Sequence, residues 1–107
     1  MLPHQLFTGI TMTIFAILMP AQQPELERAI ETNFPKHHLK VTDTQWLVSS
    51  NSTAIDIVAQ LGIYDARYPE KKSNGNAIVL ATSSYYGRAP SSIWDWMKAN
   101  LEALPNG

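Results

Sequence analysis

The chain has 107 residues, enough for one domain and too few for two. Apolar residues make up 45% of it and charged residues 16%, with a net charge of −1, so disorder is expected only at the ends and in one loop. The 8 Lys and Arg are scattered, so the basic patch that drives non-specific nucleic-acid binding is not visible.

There is no cysteine, which removes disulfides, thiolate catalysis, iron–sulfur clusters and most structural zinc sites, and fits a cytoplasmic protein. No apolar run approaches the ~20 residues of a membrane span, so no membrane partner is expected. Residues 1–21 contain the apolar run 14–19 followed by Pro20-Ala21, a layout with some likeness to a signal peptide, but no Lys or Arg precedes the run. We read Met12 as the start, residues 1–11 as an N-terminal extension, and residues 12–107 as a single α+β domain.

Residues 13–19 (TIFAILM) are β-rich, bounded by Pro20 and apolar on both faces, which predicts a central strand. Residues 24–34 predict a helix. Pro24 suits its first turn, Glu25 and Glu27 suit its positive end, and Leu26, Ala29, Ile30 and Phe34 form its buried stripe. Residues 38–50 predict a hairpin or one bent strand pair about the turn Thr42-Asp43-Thr44. Asn51-Ser52-Thr53 then caps a helix running to Leu61, with Ala54, Ile55, Val58, Ala59 and Leu61 on its buried face and Gly62 closing it. Residues 64–76 predict an exposed loop. Residues 77–83 predict the last strand, again apolar on both faces. Ser91 or Ser92 caps a final helix to Leu104, whose inward stripe is Trp94, Met97, Leu101 and Leu104. Trp96 falls off that stripe.

This order predicts an α+β fold with helices on one face of an antiparallel sheet: a ferredoxin-like βαββαβ two-layer sandwich with an added C-terminal helix. The first strand, its helix, and the strand QWLVSS running into a Ser/Thr-capped helix resemble the SinR family of small ferredoxin-like proteins. That family is in turn similar to the small nuclease-like subunit of CRISPR adaptation complexes. The resemblance covers about the first half of the chain and implies a ferredoxin-like fold and a homodimer. Nuclease members carry an Asp at the end of the first strand to bind a metal. Here that strand ends Leu18-Met19-Pro20, so metal-dependent nuclease activity is not implied.

Chemistry is sparse. The stretch 83–92 places Ser84, Tyr86, Arg88, Ser91 and Ser92 between the last strand and the last helix, where free N–H groups and a guanidinium suit an anion or nucleotide. The competing reading is an ordinary capped connection. Adjacent His37 and His38 point to opposite faces of a strand and do not suit one metal ion. No G-x-S-x-G elbow or Gly-rich phosphate loop occurs, and Asp43, Asp56, Asp65 and Asp95 sit in separate segments. No catalytic set, metal or cofactor is expected. The leading expectation is a non-enzymatic binding or assembly module, a homodimer or the partner of another protein. Its contact would lie at the sheet edge or final helix, with Trp96 in the interface. An anionic-ligand protein using residues 83–92 and a nucleic-acid-processing protein lacking the nuclease aspartate are the alternatives.

Overall fold

The computed structural model describes residues 12–101. The expected N-terminal extension, residues 1–11, lies outside them, as do residues 102–107, which carry the expected end of the last helix. The described chain is α+β: a four-stranded antiparallel sheet with three helices. In chain order these are β1 (Thr13–Leu18), α1 (Pro24–Asn33), β2 (His38–Lys40), β3 (Gln45–Ser50), α2 (Ala54–Gln60), β4 (Ile78–Ala81) and α3 (Ser91–Leu101). The strand order is β2-β3-β1-β4. Thus α1 carries the chain from β1 over β3 to β2, and α2 carries it from β3 over β1 to β4.

The first face of the sheet is the core. Phe15 and Ile17 of β1, Met19 beyond it, Trp46 and Val48 of β3, and Val79 of β4 pack against Leu26, Ile30 and Phe34 of the α1 segment and Ile57 and Leu61 of the α2 segment. Side chains alternate across a strand, so consecutive residues serve opposite faces. Two-sided apolarity of β1 therefore reflects its position between β3 and β4. The expected stripe of α1 is buried as predicted at Leu26, Ile30 and Phe34.

In α2 the expected face packs against the core at Leu61, Ala54 and Val58, but it fails at Ile55, and Ile57 takes its place. Ile57 and Leu61 are buried, whereas Ile55 is 80% exposed. The seven-residue helix starts at Ala54 behind Thr53, whose hydroxyl accepts the Asp56 N–H at 3.2 Å. From that start Ile57 and Leu61, four apart, face the sheet together, and Ile55 falls outside.

The long connection to β4 is polar and exposed, as expected, but it is tied down. The Asn74 amide donates to Leu61 O at 2.9 Å, and Asn74 N–H donates to Gly62 O at 2.7 Å, closing the end of α2. The Gln23 amide pairs with the Asn76 backbone in both directions, at 2.8 and 2.7 Å, and so fastens the same loop to the start of α1.

The expectation that the helices share one face fails for α3. It lies on the second face. Ser49 of β3 and Ile14 of β1, paired in register and pointing away from the core cluster, are buried beneath it with Met97. The Ser49 hydroxyl donates to Asn100 O at 2.9 Å. β4 is likewise an edge strand, with only its core-facing Val79 buried.

Gly62 has φ +75°, and a Cβ there would stand 2.5 Å from the Asn74 amide nitrogen. Gly62→Ala is expected to cost about 1–2 kcal/mol, measured by urea unfolding, from backbone strain and loss of the Asn74 cap. An unchanged midpoint would contradict this.

Candidate functional site

The segment singled out by sequence leaves β4 at Thr82, whose N–H and hydroxyl both donate to Ile14 O, at 3.0 and 2.7 Å. From there to Pro90 the chain has no regular structure. Ser84, Tyr86, Arg88, Ser91 and Ser92 are all exposed, and Tyr86 is fully so. Tyr85 instead stacks at 6.3 Å on Trp94 of α3. The helix starts at Ser91, and Ile93 N–H donates to Pro90 O at 3.0 Å. Asp95 therefore falls in the second turn, away from the helix start.

The two histidines do separate structural work. His37 Nδ1–H donates to Asn100 Oδ1 at 2.8 Å, while the Asn100 amide donates to Trp96 O at 2.9 Å. His38 Nδ1–H donates to Phe34 O at 2.6 Å, and its ring lies 5.8 Å from that of Trp46. The carboxylates are also dispersed. Asp43 and Glu27 flank Lys40 at 3.3 and 3.5 Å and raise its ammonium pKa, Asp43 contributing most. Arg67 grips Asp65 through two nitrogens, at 3.1 and 2.9 Å, and draws its carboxyl below the usual range. Among the described residues no three His, Asp or Glu side chains converge as a metal-binding group. No helix among them is long and apolar enough to cross a membrane.

The feature that sequence reasoning missed is the second face of the sheet. The pairing register arranges it in three rows running across the strands. His37, Ser49, Ile14 and Thr82 form the first row, linked by Ser49 N–H to His37 O, the Ile14–Ser49 pair and Thr82 N–H to Ile14 O. Leu39, Leu47, Ala16 and Leu80 form the second. Val41, Gln45, Leu18 and Ile78 form the third. Helix α3 crosses the first row, where Asn100 meets His37 and Ser49. The other two rows contain seven apolar residues and one glutamine and carry no charge. Leu80 is 47% exposed and Ile78 62%, with Leu18 and Val41 also exposed and Leu39, Leu47 and Ala16 half-buried.

A cleft of about 680 Å³ continues this surface past the third row. Leu18 and Ile78 belong to both, and Met19, Pro20, Ile63 and Tyr64 extend the cleft beyond the end of the sheet. A second cleft of about 650 Å³ lies between α2 and residues 64–67. None of the five residues expected to hold an anion lines either cleft. Trp96 is half-buried on α3.

No protein-family model, curated protein or solved structure matches this chain.

The anchoring of α3 rests on Ser49 and His37. Each of Ser49→Ala and His37→Ala is expected to lower the opening free energy of α3 by about 1 kcal/mol. Amide exchange should accelerate about fivefold in α3 and remain slow in β1. Unchanged protection of α3 would contradict this.

Proposed function

We propose that this chain is a non-enzymatic assembly module that pairs with a second copy of itself through the second face of its sheet. The observation that carries this reading is the pair of apolar rows that α3 leaves open. Water-exposed Leu80, Ile78, Leu18 and Val41 lie together on one flat surface, and their exposure is unfavourable at about 25 cal/mol per Å². Clustered exposure of this kind marks a contact surface, whereas single exposed leucines do not. An antiparallel sheet ordinarily exposes a polar second face.

Charge supports a second copy as the partner. The two rows carry no Lys, Arg, Asp or Glu, so an identical face meets them without like-charge repulsion or a stranded ion. The same lack of cations gives this surface nothing with which to neutralise a phosphate backbone. A cysteine-free sequence supports a cytoplasmic setting for the assembly.

The ferredoxin-like description and the resemblance to the SinR family belong to this reading. What supports the fold description is the strand order β2-β3-β1-β4, with α1 and α2 each bridging strands two places apart. The appended α3 then accounts for the partial cover on the second face.

Sedimentation velocity over a wide concentration range tests the proposal. The unaltered chain should dimerise with rising concentration, while Leu80→Glu and Ile78→Glu should remain monomeric with unchanged circular dichroism. Both side chains are exposed in the single chain, so folding should not suffer. A strict monomer at high concentration, or dimerisation untouched by either substitution, would refute it.

A further inference from the structure

The cleft beyond the third row and the exposed flank of α3 are explained together if two copies stack, a step that rests on the assembly reading above. The open rows alone present on the order of 400 Å² of accessible surface per copy. Two such faces fall short of the roughly 1,000 Å² that a specific interface requires. Contact beyond the sheet face brings such a pair to the size of a specific interface.

The position of α3 decides where that contact falls. A helix stands about 10 Å above the sheet it covers, and two stacked sheets also lie about 10 Å apart. Thus α3 occupies the level of the partner's sheet and cannot sit between the two. A two-fold axis along the strands would set first row over first row and drive one α3 into the other. A two-fold axis across the strands sets the second row of one copy over the third row of the other. It carries each α3 just past the partner's third row.

The apolar cleft opens at that end. Its walls include Leu18, Met19, Pro20, Ile63, Tyr64 and Ile78, with Ser73 and Asn76 as polar members; Leu18 and Ile78 join it to the third row, and no charged residue lines it. The approaching helix carries Trp96, a large ring left partly open to solvent by its own chain. We infer that the cleft at the end of β1 and β4 receives the Trp96 side of α3 from a second copy. The two reciprocal contacts lock the stacked sheets in one register. Aromatic anchors in apolar pockets carry a large share of the affinity at such interfaces.

A double-mutant cycle on the dimer dissociation constant tests this. Trp96→Ala and Tyr64→Ala should each weaken dimerisation about tenfold, and the double variant should be little weaker than the worse single one, since the two groups would touch. Tyr64 is 57% exposed in the single chain, so its removal leaves the fold intact. Should Trp96→Ala loosen α3 itself, cross-linking gives an independent reading, because the chain has no native cysteine. Chains carrying Asn76→Cys, at the cleft, mixed with chains carrying Asp95→Cys, beside Trp96, should join through a short bismaleimide into a mixed dimer. A dimer that forms without the mixed cross-link and is indifferent to Tyr64→Ala would overturn this inference and leave the sheet-face contact standing. A monomer at every concentration would overturn both.

Discussion

A β-sheet has two faces, and apolar side chains on either must leave water. Here α1 and α2 cover the first face, and α3 covers one row of the second. The chain supplies no further described helix for the remaining two rows. The rest of the molecule follows from that mismatch. A sheet whose second face were polar would need no more cover, but Leu39, Leu47, Ala16 and Leu80 run as one continuous apolar row from edge to edge.

The same constraint explains how α3 is held. It does not enter the main core, and Met97 is the one described side chain of this helix that is buried. Polar contacts finish the docking, with Asn100 serving both Ser49 and His37. Hydrogen bonds of this kind contribute about 1 kcal/mol each, so they fix orientation more than they add stability. The loop after α2 uses the same economy. Asn74 and Gln23 replace a hydrophobic contact with side-chain amides that satisfy exposed backbone groups.

Much of the first layer was legible in the sequence. The α1 stripe and the central place of β1 both follow from spacing and apolarity. Only part of the α2 face was legible, because in a seven-residue helix Ile55 and Ile57 are both apolar and the spacing alone does not say which one faces the sheet. The second face was obscured for a different reason. A strand that is apolar on both sides looks the same whether its own helices cover it or another chain does. β4 reads as a two-sided apolar strand, yet it is an edge with Ile78 and Leu80 in water. The Ser- and Tyr-rich stretch drew notice through its composition, and its five named residues lie exposed along an irregular connection.

The surface that unites these features is the pair of uncharged rows, and methyl NMR spectroscopy reads it directly. In a dilution series, the methyl resonances of Leu39, Leu47, Leu80, Leu18 and Ile78 should shift together with concentration. Those of Leu26, Ile30 and Ile57 in the opposite core should stay fixed. Shifts absent from the open rows, or spread equally over both faces, would contradict an assembly built on the second face of the sheet.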